Sequence, residues 1–190
     1  MSRYAWSGLI EQLEAKGVIF DVGLTDSEVA LAETNYGVSF PEDLRDFLQT
    51  ALPSRFPFPN WRLSDDLFIR EMLRWPLDGV LFDVENSEFW LHEWGDKPSS
   101  GEKARSIVEE EVNRAPRLIP IYRHRMMPDR PVIPGNPVLS IHQTDIIYYG
   151  FDLEDYFRHE FDLEGRKDWP EQIRRIEFWD VERWQDLRLH

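Results

Sequence analysis

Apolar residues recur at helical spacing in the first part of the chain, and this pattern predicts three short helices. The stripe of the first helix precedes Gly17 and consists of Trp6, Leu9, Ile10 and Leu13. The second helix is predicted to begin after Thr25, which can form a capping box with Glu28, and to end at Gly37. The third is predicted to have Pro41 as its first residue and to bury Leu44, Phe47, Leu48, Ala51 and Leu52.

Residues 53–114 combine loop, helix and strand patterns. Three prolines within residues 53–60 predict an extended loop. A helix capped by Asp65 or Asp66 is predicted to run through Leu73, and the β-branched and aromatic residues 80–84 predict a strand. Residues 89–94 are expected to form a second strand or an aromatic loop. A further helix is predicted from Ser99 or Ser100 to about residue 114.

The second half of the chain has the patterns of strands followed by helices. Residues 118–122, LIPIY, predict a short strand whose proline favours an edge or a strand end. The four prolines of residues 126–137 predict irregular structure, and residues 137–149 predict a hairpin that turns at 143–145. Asp152 is the expected cap of an amphipathic helix. Residues 165–190 are expected to be a helical extension, with Val181, Trp184 and Leu187 at helical spacing.

This order of elements, without a repeat or a long linker, predicts one α+β domain over residues 1–190. We expect a mostly antiparallel sheet of four to six strands, with helices packed around it. The 190 residues include no cysteine, which excludes disulfides and thiolate metal sites. The first residues are too polar for a signal peptide and no apolar run could span a membrane, so a soluble cytoplasmic protein is expected.

The charge of the chain is strongly negative and unevenly distributed. Its net charge of −14 argues against direct binding of nucleic acid and is compatible with a basic protein partner. Residues 1–50 contain nine acidic and three basic residues, a net charge of −6. Residues 101–151 contain six acidic and seven basic residues, a net charge of +1, and form a basic island. Five of its arginines are opposed locally by Asp129 alone: Arg114, Arg117, Arg123, Arg125 and Arg130.

Four segments together resemble the SUKH superfamily of the Smi/Knr type. The first is the predicted helix pair at residues 24–52, and the second is WPLDGVLFDVENSEFWLHEWG at residues 75–95. The others are LIPIYRHRMMP from residue 118 and GNPVLSIHQTDIIYYGFDLEDYF from residue 135. The resemblance is strongest over residues 24–160. The chain departs from many members after LIPIY, where residues 123–125 replace a glycine- and aspartate-rich turn.

The resemblance implies an α+β domain that binds another protein without catalysis. The superfamily includes bacterial immunity proteins that neutralise toxins, often nucleases, as well as yeast regulators of cell-wall synthesis. We therefore expect a bacterial immunity protein that binds a toxin directly, with no cofactor. A regulatory or scaffold protein without a toxin partner is the first alternative. A metal-dependent hydrolase, with His124, His142 and Asp145 as ligands, is the second.

Two segments are the candidate partner-binding sites. In an extended segment 89–94, Trp90, His92 and Trp94 would share one face, and tryptophan is common among interface anchors. The alternative is that both indoles belong to the core. The second candidate comprises Arg123, His124 and Arg125, because arginine can bind carboxylates or phosphates in a bidentate manner. The alternative there is that these arginines pair with the protein's own carboxylates.

Overall fold

The computed structural model describes residues 6–186 and has an α+β fold. Its strands are β1 (Phe20–Val22), β2 (Ala51–Pro53), β3 (Leu118–Tyr122), β4 (Arg125–Pro128), β5 (Val138–His142) and β6 (Asp145–Gly150). Its helices are α1 (Ser7–Ala15), α2 (Asp26–Tyr36), α3 (Glu42–Thr50), α4 (Leu67–Asn86), α5 (Gly101–Arg114), α6 (Leu153–Glu160) and α7 (Val181–Asp186). No helix in this described part of the chain is long and apolar enough to cross a membrane.

One antiparallel sheet in the order β3-β4-β5-β6 separates two hydrophobic cores. Because side chains alternate between the faces of a strand, Met126 and Met127 of β4 enter different cores. The first core contains residues of α1, α2, α3 and α6, and the small β1–β2 sheet borders it. The second core contains residues of α4, α5 and α7. The predicted α+β class with a mostly antiparallel sheet is confirmed.

The two N-terminal helices after Gly17 form largely as their caps predict. The Thr25 hydroxyl accepts a hydrogen bond from the Glu28 backbone N–H, and the Glu28 carboxylate accepts one from the Thr25 N–H at 2.8 Å. Gly37 ends α2 with a φ of 64°, in the left-handed region that suits glycine. Pro41 lies one residue before α3 instead of inside it, and residues 51 and 52 belong to β2.

The strand predicted over residues 80–84 is wrong, because α4 continues through them. Its buried side chains recur every three or four residues, as in a helix that packs on a sheet: Ile69, Met72, Pro76, Val80 and Val84. Pro76 lacks an N–H and removes one helical hydrogen bond, which is usually destabilising. Here the Pro76 ring is itself buried. The apolar stripe along α4 stabilises the helix more than the β-branched side chains within residues 80–84 disfavour it.

Two further predictions in the second half need correction. Residues 125–128 form β4, so the segment 126–137 is not wholly irregular; Met126 and Met127 are fully buried on opposite faces of the sheet. The predicted helical extension is helical at Val181–Asp186, whereas residues 161–180 are irregular. Leu187 and His190 lie outside the described residues. The predictions of β3 as an edge strand, the β5–β6 hairpin and the Asp152 cap of α6 are confirmed.

Candidate partner-binding surfaces

The aromatic segment at residues 89–94 is not extended. Residues His92–Trp94 form a single 3-10 turn, so the predicted strand face shared by Trp90, His92 and Trp94 does not exist. The rings of Trp90 and Trp94 instead meet edge to face at 5.1 Å between their centroids. This arrangement corresponds to the predicted alternative of an aromatic loop.

Most apolar side chains of this segment serve the second core. Trp94 is 9 % exposed, Leu91 is fully buried, and the ring of Phe89 stacks on Trp184 of α7 at 5.5 Å. The Trp90 indole N–H donates a hydrogen bond to the Gly95 carbonyl at 2.7 Å. His92 is exposed. Of the three predicted site residues, one lies on the surface, one is half-buried and one is core.

The basic segment forms the turn between β3 and β4, and its three residues have different environments. Arg123 is exposed and has a φ of 53°. Arg125 is largely buried: its Nε lies 3.2 Å from a Glu160 carboxylate oxygen, and its guanidinium lies 3.6 Å from the centre of the Tyr149 ring. The predicted alternative of internal pairing therefore holds for Arg125, which is unavailable to a partner.

His124 lies between these two arginines and is half-buried. Its ring contacts the Arg125 guanidinium. Burial lowers the pKa of His124 below its usual value of 6.5, and the charges of Arg125 and Arg123 and the neighbouring His142 lower it further. The imidazole is therefore neutral at pH 7, and the charge of this turn comes from its arginines.

Other arginines of the basic island also have internal partners. Arg114 pairs with Glu110 and Glu111, and Arg130 lies 3.4 Å from Asp129. The Arg117 guanidinium donates to the Tyr36 carbonyl at 3.1 Å, at the C-terminal end of α2. Within residues 6–186, Arg123 is the member of the island that contacts an aromatic ring and pairs with no carboxylate or carbonyl.

Sequence reasoning missed a neighbouring loop at residues 55–57. The Arg123 N–H donates to the Pro57 carbonyl at 3.5 Å, and the Phe58 and Tyr122 rings are 4.6 Å apart. The ring of Phe56 is 81 % exposed, and Arg55 is exposed and pairs with no described carboxylate. The sequence signal for this loop is the alternation of Phe56 and Phe58 with Pro57 and Pro59. We call Arg55, Phe56, Arg123 and His124 the turn surface.

The layer formed by α1, β1, α2 and α3 is acidic. Both basic residues that the structure describes in this layer are paired: Arg45 lies 2.8 Å from Glu33, and Lys16 lies 3.8 Å from Asp162. Five carboxylates are exposed there without an ion pair to any described residue, and we call them the acidic layer: Glu11, Glu14, Asp21, Asp26 and Glu42. These five carboxylates of residues 1–50 therefore face solvent.

The three ligands of the hydrolase alternative do not form a metal site. His142 and Asp145 are paired across the β5–β6 turn, and His124 precedes the neighbouring strand β4. Within residues 6–186, no group of three or more histidine, aspartate or glutamate side chains is arranged to hold a metal ion. Comparison of the chain with protein-family models, curated proteins and solved structures finds no match.

Proposed function

We propose that the protein is a non-enzymatic binding module, a bacterial immunity protein that neutralises a toxin by direct contact. The observation that carries the proposal is the acidic layer, whose exposed carboxylates pair with no cation of residues 6–186. The resemblance to the SUKH superfamily supports the same function. The toxin that fits this surface has a basic domain, as a nuclease does.

The electrostatics favour a partner that normally binds a phosphate backbone. A nuclease needs clustered lysine and arginine to contact nucleic acid. Carboxylates held on short helices can occupy such a cleft in place of phosphates, since arginine binds both groups in the same bidentate geometry. Complementary charge also accelerates association, and this effect decreases as salt rises.

Co-expression tests the proposal directly. The protein is produced together with each toxin candidate encoded beside its gene, and growth is compared with and without it. Protection by the wild type supports immunity. Failure to protect against any adjacent toxin contradicts it, and binding without protection would favour the regulatory or scaffold alternative.

A charge-reversed variant then tests the acidic layer in the complex. Glu11→Lys, Glu14→Lys and Asp21→Lys together should slow association by roughly tenfold or more at low salt. The matched control carries the same charge change at Glu88, Asp96 and Asp168, which are exposed outside the layer. Equal effects of the two variants, or association that does not depend on ionic strength, would remove the acidic layer from the interface.

A further inference from the structure

The turn surface combines features that the acidic layer lacks: two arginines without a carboxylate partner and one protruding aromatic ring. We propose that this surface is a second binding site, which takes a carboxylate-bearing polypeptide segment with an apolar residue. Arg55 and Arg123 would bind the carboxylates, and Phe56 would pack against the apolar residue. The proposal does not require that the protein be an immunity protein.

The backbone at Arg123 adopts a conformation that favours glycine. Arg123 is the first residue of the two-residue turn between Tyr122 and Arg125, and its φ is 53°. Glycine adopts this conformation without strain, whereas a residue with a Cβ does not. Strained non-glycine residues persist mainly where they serve a function. Gln143, Asp162 and Phe178 also have positive φ, so the backbone supports a binding role for Arg123 only together with its exposed guanidinium, which pairs with no described carboxylate.

The surroundings hold this turn in one geometry. Arg125, two residues on, is fixed by Glu160 and by Ser140, whose hydroxyl lies 2.7 Å from the guanidinium. The Arg123 guanidinium lies 5.2 Å from the centre of the Tyr122 ring. Such support reduces the conformational entropy that a partner would have to remove on binding. The β3–β4 turn therefore has a fixed conformation before a partner binds.

Phe56 supplies the apolar part of the site. Its ring contacts Phe68 of α4, with 5.4 Å between the centroids, while most of its surface stays in solvent. Leu67, which precedes Phe68 in the chain, is 74 % exposed. Aromatic and arginine side chains are enriched among the residues that dominate binding energy at protein interfaces. This juxtaposition distinguishes the turn surface from a charged but otherwise polar turn.

The charge of the turn surface determines which kind of segment it can bind. Most arginines of the described chain contact the protein's own carboxylates, whereas Arg55 and Arg123 pair with no described carboxylate on a chain of net charge −14. His124 is neutral at pH 7 because its pKa is lowered, so it adds a polar contact without charge. A segment that presents carboxylates gains charge-assisted hydrogen bonds here, whereas a lysine-rich segment meets repulsion.

The test uses an array of short peptides, each combining several glutamates with one Leu, Phe or Trp at varied spacing. A second array replaces every glutamate by glutamine, which is uncharged and so is not attracted to the acidic layer. The full-length protein should bind the glutamate array and not the glutamine array. Arg123→Glu, Arg55→Glu and Phe56→Ala should each weaken binding about tenfold or more, while Lys103→Glu, the same charge change on α5, should not. Equal binding to both arrays, binding to neither, or binding that survives Arg123→Glu and Arg55→Glu overturns the proposal.

Two substitutions to glycine distinguish an effect on peptide binding from an effect on folding. Gln143, with a φ of 56°, occupies the corresponding first position of the β5–β6 turn. Arg123→Gly and Gln143→Gly should both raise the melting temperature, because both relieve the same strain. Of the two, Arg123→Gly alone should abolish peptide binding. If Arg123→Gly lowers the melting temperature instead, the arginine is structural and the proposal is wrong.

Two results separate the turn surface from the acidic layer and from a contact between two copies of the chain. If the acidic-layer variant loses toxin protection but still binds the peptides, the result supports the turn surface as an independent site. Sedimentation at increasing protein concentration tests a second copy as occupant. Concentration-dependent association that Arg123→Glu and Glu11→Lys each abolish would assign the surface to self-association and overturn its assignment to a partner segment.

Discussion

The Arg125 guanidinium and the Glu160 carboxylate form an ion pair between β4 and α6, with 3.2 Å between Nε and the nearer oxygen. The side chains are 12 % and 13 % exposed. Tyr149 lies over the guanidinium, and its ring stacks on His159 of α6 at 4.4 Å. The pair thus connects the sheet to α6, a helix of the first core, and the Arg125 side chain is mostly buried as a result.

Breaking this pair should be costly. Glu160→Ala leaves the Arg125 charge largely buried without its partner, and we expect a loss of about 3–5 kcal/mol in the free energy of unfolding. The double variant Arg125→Met with Glu160→Leu removes both charges, so its loss should be much smaller. Urea unfolding of the three proteins measures both values. A loss below 1 kcal/mol for Glu160→Ala would show that water reaches the pair, since exposed pairs contribute about 0–1 kcal/mol.

His124 should make stability depend on pH in mildly acidic solution. Its pKa in the folded protein is lowered from 6.5, first by burial and then by Arg125, His142 and Arg123. The unfolded chain therefore takes up this proton at a higher pH than the folded chain. Stability should be lost as the pH falls below about 6.5 toward the lower pKa of the folded state.

His124→Gln isolates this contribution. The variant should flatten the decline of unfolding free energy below pH 6.5, while its stability at pH 8 changes little. Chemical unfolding at a series of pH values checks the slope. His92→Gln is the control, because His92 is exposed and is not among the groups that lower the pKa of His124. An unchanged slope in His124→Gln would mean that the imidazole titrates alike in both states.

The elements that the sequence predicts well are those with local signals. The capping box of α2, the Asp152 cap and the β5–β6 hairpin all depend on residues within a few positions of one another. The sequence pattern divides helix α4, because the β-branched and aromatic side chains within residues 80–84 are a local signal too, whereas the packing that overrides this signal is not local. Likewise, the partner of Arg125 lies 35 residues away, and no pattern near the turn indicates it.

The predicted aromatic site separates into structural and exposed residues, and mutation can show this. Leu91 is fully buried in the second core, so Leu91→Ala should cost about 2–5 kcal/mol. His92→Ala, on the exposed side of the same segment, should change stability by less than about 0.5 kcal/mol. Thermal unfolding compares the two. Similar losses for both variants would contradict the assignment of this segment to the second core.

Helix α4 crosses the β5–β6 turn so closely that glycine is required at position 79. A Cβ placed on Gly79 would lie 2.8 Å from the Gln143 Cα, closer than real Cβ atoms approach backbone. The helix cannot easily withdraw, because the Asp83 carboxylate accepts hydrogen bonds from the Thr144 hydroxyl at 2.6 Å and from its N–H at 3.0 Å. The β5–β6 turn is therefore held against two successive helical turns of α4, one at Gly79 and one at Asp83.

Two opposing effects make Gly79→Ala informative. Alanine is favoured over glycine in a helix interior by about 1 kcal/mol, which alone predicts a stabilised protein. Overpacking against backbone costs about 1–3 kcal/mol, and we expect it to prevail. Gly8→Ala is the matched control, because Gly8 lies in α1 and no atom of residues 6–186 lies within 4 Å of a Cβ added there, so propensity should prevail and stabilise the variant. Urea unfolding should give opposite signs for the two variants. The same sign for both would mean that the turn moves away from α4 at little cost.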